Sequence, residues 1–167
     1  LEQKSGEEIR KSKYNLFGFI HYQNSIRKNN IVSRIEDTVV SLQEMNIGIL
    51  GITYKPGTST LRRSLPLEII ELLINKGANV SVYDPKADYS ETTIKLNVMK
   101  DIESLSMNID MLLLLTEWNE FLSFDWNKII NNMRKKYFFD TKNHLSKNLM
   151  EKIGFIYLST GVGDVQT

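Results

Sequence analysis

The chain has 167 residues, no cysteine, and a formal net charge of +1 from 21 Lys and Arg against 20 Asp and Glu. This length supports one domain with a sizeable core, and the balanced charge argues against a general nucleic-acid-binding surface, although it leaves a local phosphate site open. The absence of cysteine excludes disulfides, a cysteine nucleophile and a cysteine-ligated metal, and the two histidines argue against a His-rich metal site.

The hydropathy pattern contains no candidate membrane segment. The longest apolar run is Met111–Leu115, which is far shorter than a bilayer span requires. The first residues of the sequence do not show the pattern of a signal peptide, which is a basic stretch followed by an apolar one. We therefore expect a cytoplasmic protein with no membrane partner and no bound metal.

The N-terminal part of the chain predicts a helical arm. Residues 1–12 are polar and charged, which is typical of a solvent-facing lead-in. After them, apolar residues recur at helical spacing at Ile26, Ile31, Ile35, Val39 and Leu42. This periodicity predicts one long helix from Tyr22 to Glu44. We accordingly divide the chain into a lead-in and helix at residues 1–45 and an α/β domain at residues 46–167.

A strand–helix–strand unit follows the arm. The apolar run Asn46–Ile52 predicts a buried strand. Ser64 is suited to a helix N-cap, with Pro66 in the first turn, and Gly77 is suited to the position after the helix ends. The second strand comes directly afterwards and ends in an Asp-Pro turn. Two strands joined by a helix at this spacing predict a parallel pair with a right-handed crossover.

The same alternation continues to the end of the chain. The patterns predict helices at 101–107, 125–133 and 145–154 and strands at 110–116, 136–140 and 155–160. Five or six strands that alternate with helices indicate an open, doubly wound parallel sheet of the Rossmann-like α/β class, preceded by the long helix.

Ligands of open α/β sheets bind beyond the carboxyl ends of the strands. The loop after the first predicted strand carries Lys55, Arg62 and Arg63 in front of a helix N-terminus, a combination suited to an anion. A solvated basic loop is the alternative, because surface Lys and Arg are common. The loop has neither P-loop spacing nor the G-x-G-x-x-G of a dinucleotide turn, since only Gly48 and Gly51 are present.

The other strand-end loops hold further candidates, each with a structural alternative. Asp84 stands where a dinucleotide fold places a ribose-binding acid, but the missing glycines favour a simple Asp-Pro turn. Trp118 is either a wall of the site or core, and Glu117 is either a ligand contact or a first-turn helix acid. His144 could be a general base, although a lone histidine is more often structural. The spacing supports neither a Ser-His-Asp triad nor a carboxylate pair.

Four ordered motifs resemble the UDP-glucose/GDP-mannose dehydrogenase family. Residues 48–85 resemble its G-x-x-F-K-P-x-T-D-D-x-R-E-S segment with the following helix and G-A-x-V-x-x-Y-D-P, and "LLTEWNEF" resembles T-E-W-x-x-F. "FFDTKNHL" resembles its D-x-R-N segment, and "MEKIGFIYLSTGVG" its closing G-F-x-Y-x-x-x-G. The resemblance covers about residues 22–163 and implies the C-terminal, UDP-sugar-binding domain of these enzymes.

The resemblance also implies an activity for the full-length enzyme. The family oxidises the C6 hydroxyl of a nucleotide sugar to a carboxylate with NAD, through a cysteine intermediate, and this serves polysaccharide biosynthesis. The cysteine and the NAD fingerprint are both missing here. We therefore expect a fragment with no catalytic residue that is inactive alone. The predicted 22–44 helix resembles the family's central helix, which implies a homodimer.

The family motifs also assign site residues. Tyr54 and Lys55 match the Phe-Lys pair that reaches the sugar nucleotide, and Lys142 replaces the substrate-binding Arg of D-x-R-N. Arg62 matches the Arg of R-E-S, which implies a contact to the NAD pyrophosphate. Arg63 replaces the family's Glu.

Two further departures lie in the same loop, where Ser59 and Thr60 replace the family's Asp pair. Together with the missing cysteine, they leave a second interpretation open. The chain could be a degenerate, non-catalytic dehydrogenase domain that serves dimerisation or partner binding.

Overall fold

A computed structural model describes residues 16–160 of the chain, with side chains from residue 26 onward. The lead-in predicted at 1–12 and residues 161–163 of the closing motif lie outside the described residues. The helices are α1 (Leu16–Thr38), α2 (Leu65–Asn75), α3 (Ile102–Ser106), α4 (Trp126–Asn132) and α5 (Lys147–Ile153). The strands are β1 (Asn46–Leu50), β2 (Asn79–Tyr83), β3 (Asn97–Val98), β4 (Met111–Leu114), β5 (Tyr137–Asp140) and β6 (Ile156–Ser159).

The six strands form one parallel sheet in the order β3-β2-β1-β4-β5-β6. The order reverses between β1 and β4, which are neighbours although they are far apart in the chain. Helices α1 and α2 cover one face of the sheet, and α3, α4 and α5 cover the other. This arrangement confirms the predicted doubly wound, Rossmann-like α/β class.

The central strands are apolar throughout because both of their faces are covered. In β1, Ile47 and Ile49 pack towards α1 and α2, whereas Leu50 packs towards the opposite helices. All four residues of β4 are buried. Continuous apolar strands of this kind are typical of parallel sheets with helices on both sides, which is why the short runs could be read as strands.

Helix α1 is displaced along the chain from its prediction. It begins at Leu16 and ends at Thr38, not at Glu44. The segment after it must turn towards β1, and Glu44 adopts a left-handed φ of 59° while its N–H donates to the Gly77 carbonyl at 2.9 Å. Leu42 is nevertheless buried, so the apolar spacing that predicted a longer helix reflects core contacts of an irregular segment.

Helix α1 shares a core with the sheet. Ile31, Val32 and Ile35 are buried in the same cluster as the inner face of α2. Lys28 also donates to Glu68 of α2 at 2.6 Å. These contacts, with the Lys76–Glu36 ion pair of 2.7 Å, fix α1 along the length of α2, while the domain boundary near residue 45 stays a prediction.

One local feature agrees with the sequence prediction, and three short elements were not predicted. Gly77 follows α2 with a φ of 87°, as predicted for a glycine after a helix. Strand β3 and the 3-10 turns Tyr89–Glu91 and Asn119–Ser123 were not predicted, because pieces this short carry no readable periodicity. Within residues 16–160, no helix is both long and apolar enough to cross a membrane.

Candidate functional site

The carboxyl ends of β1, β4 and β5 meet at the point where the strand order reverses. Helices α2 and α4, which follow β1 and β4, lie on opposite faces of the sheet. This divergence opens a crevice outside the strand ends, the usual ligand position in doubly wound sheets. A cavity of about 450 Å³ lies in this crevice, on the face of the sheet that α1 and α2 cover. It is bounded by α1, the β1–α2 loop and the residues after β4 and β5.

The cavity combines an apolar floor with a cationic rim. Its apolar lining consists of Ile31, Leu65, Pro66, Ile69 and Leu115. Its polar lining consists of Arg27, Tyr54, Lys55, Arg63, Thr141 and Lys142. Among the described residues, this lining holds four cations and no carboxylate. A concave site of this charge concentrates anions, and apolar walls with a few converging polar groups are typical of small-molecule sites.

The N-terminus of α2 adds to the positive potential of the cavity. Ser64 occupies the N-cap position, as predicted, but its side chain makes no capping hydrogen bond. Its hydroxyl donates instead to the Ile52 carbonyl at 2.6 Å, which fastens the end of the loop to the end of β1. No side chain caps the first turn of α2, in which Pro66 has no N–H and the Leu67 N–H donates to the Ser64 carbonyl at 3.2 Å. The Leu65 N–H and the helix dipole remain to favour an anion.

The β1–α2 loop presents Tyr54 and Lys55 at the cavity. The loop is closed at its base by the Tyr54 N–H, which donates to the Thr60 carbonyl at 3.0 Å. The Thr58 hydroxyl donates to the Lys55 carbonyl, also at 3.0 Å. The Tyr54 side chain remains 60% exposed. The aromatic ring and the ammonium group are thus held on an ordered turn with solvent access to a ligand.

Arg62 belongs to the same loop but does not line the cavity. Its side chain is exposed, and its Nε lies 3.6 Å from Glu91 Oε1. Glu91 also accepts hydrogen bonds of 2.8 Å from the Thr60 hydroxyl and the Leu61 N–H. These hydrogen bonds lower the pKa of Glu91 below its ordinary value. Glu91 thereby supports the loop, and Arg62 borders the groove that contains Glu91 rather than the cavity.

Lys142 reaches the cavity from the end of β5. Its Nζ lies 3.1 Å from Glu117 Oε2, which joins the loop after β4 to the loop after β5. Its backbone N–H donates to Asp140 Oδ1 at 2.8 Å. Glu117 Oε2 is shielded from solvent, and among the described residues the Lys142 ammonium group is its polar neighbour. The ion pair therefore holds the Lys142 ammonium group near the cavity and neutralises part of its charge.

Asp84 fixes the loops that surround β1. Its buried carboxylate accepts hydrogen bonds from the Ile52 N–H at 2.7 Å, the Thr53 N–H at 3.0 Å and the Trp118 Nε1–H at 3.2 Å. Its second oxygen accepts from the Lys86 N–H at 2.9 Å. With both oxygens engaged, Asp84 ties together the ends of β1, β2 and β4. Trp118 is likewise 8% exposed and acts as a buried donor to this carboxylate.

Asp140 has the equivalent position at the end of β5. One carboxylate oxygen accepts from the Leu145 N–H, the His144 N–H and the Tyr157 hydroxyl, each at 2.8 Å. Burial and the hydrogen bond to Asp140 raise the pKa of Tyr157 far above its ordinary value, so this hydroxyl keeps its proton. The His144 Nε2 lies 3.0 Å from the Trp118 carbonyl. These contacts stabilise the loop that carries Lys142.

The structure thus brings together three of the four residues singled out by the sequence. Tyr54, Lys55 and Lys142 line one cavity, whereas Arg62 lies outside it. Arg27 and Arg63 also line the cavity. Arg63 is one of the three loop cations that the sequence predicted as suited to an anion, although the family motifs gave it no role. The sequence offered no signal for Arg27, which comes from α1.

The β1–α2 turn does not fit NAD in the way that a dinucleotide-binding turn does. Gly51 has a φ of 76°, and a Cβ at this position would lie 2.5 Å from the Thr116 carbonyl oxygen. This glycine is required by the close approach of β4. The carboxylate that could have held a ribose, that of Asp84, is fully engaged by protein donors. This turn therefore lacks the glycine cradle and the free carboxylate with which a dinucleotide-binding turn holds NAD.

The strand order and the cationic cavity at its reversal define a Rossmann-like domain of the doubly wound class. The chain belongs to the UDP-glucose/GDP-mannose dehydrogenase family, since the model of that family's UDP binding domain matches residues 48–147.

Relatives and solved structures agree with this assignment. A UDP-glucose 6-dehydrogenase of Rickettsia prowazekii is 34% identical over 151 residues, covering 83% of this chain and 33% of the relative. UDP-glucose 6-dehydrogenase 4 of Arabidopsis thaliana is 30% identical, covering 83% of this chain and 34% of the relative. The UDP-D-ManNAc dehydrogenase of Pyrococcus horikoshii superposes with a TM-score of 0.68 at 27% identity, covering 85% of this chain and 31% of that one. The chain therefore spans about a third of the length of the curated relatives it matches.

Proposed function

We propose that this chain is the nucleotide-sugar-binding part of an NAD-dependent UDP-sugar 6-dehydrogenase of the UDP-glucose type. In the proposed full-length enzyme, the C6 hydroxyl of the sugar is oxidised to a carboxylate. The observation that carries the proposal is the cavity that gathers Tyr54, Lys55 and Lys142 at the switch point of the sheet. The family membership supports it, because the matching model is that of a UDP binding domain.

Three of the cavity residues have roles suited to a nucleotide sugar. Lys55 and Lys142 supply ammonium groups for the anionic diphosphate, and the N-terminus of α2 supports them with its dipole. Tyr54 offers an exposed aromatic face at the mouth of the cavity, which is suited to stacking on a base or a sugar. Lys142 binds as a point charge where the family has the planar fork of an arginine. The chain's contribution is thus to bind and orient the substrate.

The redox chemistry belongs to parts of the enzyme beyond this sequence. NAD would supply the oxidising power, and the chain has no cysteine that could form the covalent intermediate. We therefore assign no catalytic residue here and expect the isolated chain to be inactive. Arg62, which is exposed on the outer side of the loop, is available to contact the NAD pyrophosphate across a cleft between domains.

The remaining proposals concern assembly and cellular role. The part of helix α1 that overlaps the predicted 22–44 helix serves as a homodimer contact. The enzyme works in the cytoplasm and supplies nucleotide uronates for polysaccharide biosynthesis. Light scattering of the purified chain tests the first of these, since a monomeric mass at high protein concentration would contradict dimerisation through this helix.

Titration calorimetry with UDP and UDP-glucose tests the proposed function. We expect saturable binding of both ligands in the millimolar range or tighter, and Lys55→Ala should weaken it at least about fivefold because one charge-assisted contact is lost. Lys135→Gln is the matched control, since Lys135 is exposed and lies before the amino end of β5, whereas the cavity lies beyond the carboxyl ends of the strands. The absence of binding at millimolar ligand would contradict the proposal and favour the non-catalytic dimerisation or partner-binding module.

A further inference from the structure

Arg63 has a left-handed backbone conformation at the corner of the β1–α2 loop. The two arginines form the corner of a tight turn that is closed by the Ser64 N–H, which donates to the Leu61 carbonyl at 3.1 Å. Arg63 has a φ of 55°, in the left-handed region where glycine is the usual residue. Both arginines border the shallow groove that contains Glu91. Arg62 lies within ion-pair distance of Glu91, and only Arg63 also lines the cavity beside α2.

The ion pairs around the cavity leave an excess of positive charge on this loop. Lys142 is paired with Glu117, but within residues 26–160 neither Lys55 nor Arg63 forms an ion pair with a carboxylate. Both side chains come from the β1–α2 loop, and both line the cavity in front of the uncapped first turn of α2. Two cations and a helix N-terminus make a concentrated anion subsite, which matches the charge of a diphosphate.

We propose that Arg63 is a ligand-contacting residue that binds, together with Lys55, the diphosphate of the nucleotide. This inference rests on the proposed function and deepens it, because it identifies the group that sets affinity. The guanidinium fork donates two parallel hydrogen bonds to a phosphate, while Lys55 contributes a point charge. Since Arg63 replaces the acid of the family motif, the cavity of this chain is more cationic than that motif implies. A nucleoside diphosphate is therefore strongly preferred over a monophosphate.

An alternative position for the side chain makes the inference testable. Arg63 also borders a shallower groove of about 300 Å³ that contains Glu68, Glu71 and Glu91. If these carboxylates hold the guanidinium group in solution, Arg63 contributes to the loop rather than to the ligand. Removal of its charge would then leave nucleotide affinity unchanged.

The experiment compares uridine, UMP and UDP as ligands of the full chain by titration calorimetry. The variants are Arg63→Asn and Arg63→Gly, because both residues tolerate a left-handed φ and keep the turn. The control is Lys135→Gln, which also removes one positive charge but does so at the amino ends of the strands, away from the cavity. A thermal melt of each variant verifies folding, and we expect Arg63→Gly to melt no lower than the unmodified chain because it relieves the left-handed strain.

We expect the unmodified chain to bind UDP at least about tenfold more tightly than UMP. Both Arg63 variants should weaken UDP about tenfold, change uridine binding less than twofold, and so reduce the preference for UDP over UMP. UDP affinity within twofold of the unmodified chain in both variants, with Lys55→Ala still weakened, would overturn the role of Arg63 and leave the proposed function intact. Equal weakening of all three ligands would also overturn it. Absence of UDP binding by the unmodified chain would overturn both proposals.

Discussion

Replacement of Asp84 by alanine is the perturbation that tests most sharply how the loops of the cavity are held. The Asp84 side chain is buried, and one of its oxygens accepts four hydrogen bonds from three residues of two loops. Alanine removes the acceptor but leaves the donors in place. The Ile52 and Thr53 N–H groups and the Trp118 indole N–H would then be buried without partners.

The expected loss follows from these contacts. A hydrogen bond to a charged acceptor contributes roughly 1.5–3 kcal/mol, and an orphaned buried donor costs about 1–3 kcal/mol. Because the four bonds share one oxygen, their contributions are not additive. We therefore expect Asp84→Ala to lower the free energy of unfolding by about 3–5 kcal/mol. Asp84→Asn keeps one carbonyl acceptor but turns an NH₂ group towards backbone donors, and we expect a smaller loss of about 1–3 kcal/mol.

Urea denaturation followed by tryptophan fluorescence measures this loss, because Trp118 itself donates to Asp84. Asp37→Ala is the matched control, since Asp37 is exposed on α1, and it should change the free energy of unfolding by less than about 0.5 kcal/mol. A loss of less than about 1 kcal/mol for Asp84→Ala, with an unchanged denaturant slope, would refute the inferred anchoring role.

Two further predictions concern backbone and charge. Gly51→Ala should destabilise the chain by at least about 2 kcal/mol more than Gly57→Ala, because both glycines have positive φ but only the Cβ at Gly51 would clash with Thr116. Equal urea midpoints for the two variants would contradict this packing. Burial opposes the ionisation of Asp110, but hydrogen bonds from Arg134 prevail and lower its pKa. This stabilisation is complete above about pH 4 and is lost as pH falls through the lowered pKa. Arg134→Gln should therefore lower the urea midpoint at pH 7 but have a diminishing effect below about pH 4, and a deficit that grows in acid would speak against the pair.

Much of the fold could be predicted from the sequence, because strands that are buried on both faces of the sheet are apolar throughout. Runs such as Met111–Leu114 have no polar residue, and helices with clear apolar spacing separate them. Strand β3 could not be predicted, since it has only two residues, both exposed, which pair with β2 at the edge of the sheet. The end of α1 was misplaced because Leu42 continues the helical spacing from an irregular segment, where it is buried by tertiary contacts.

The site was accessible in part for a similar reason. Parallel strands bring their carboxyl ends to one edge, so Lys55 and Lys142 could be expected near each other before the structure was known. Arg27 lies beside these two lysines only because α1 packs against α2, and the sequence pattern does not predict where α1 packs. Arg63 lines the cavity and Arg62 does not, a difference between two consecutive arginines that a charge pattern does not reveal.

The most direct test of nucleotide binding at this cavity is an NMR titration of the ¹⁵N-labelled chain with UDP, in which backbone amide shifts are mapped. We predict saturable shifts that concentrate at Tyr54, Lys55, Leu65, Thr141 and Lys142. An absence of saturable shifts at millimolar UDP would contradict nucleotide binding at this cavity. Shifts concentrated at residues 108–110, before the amino end of β4, would contradict it as well.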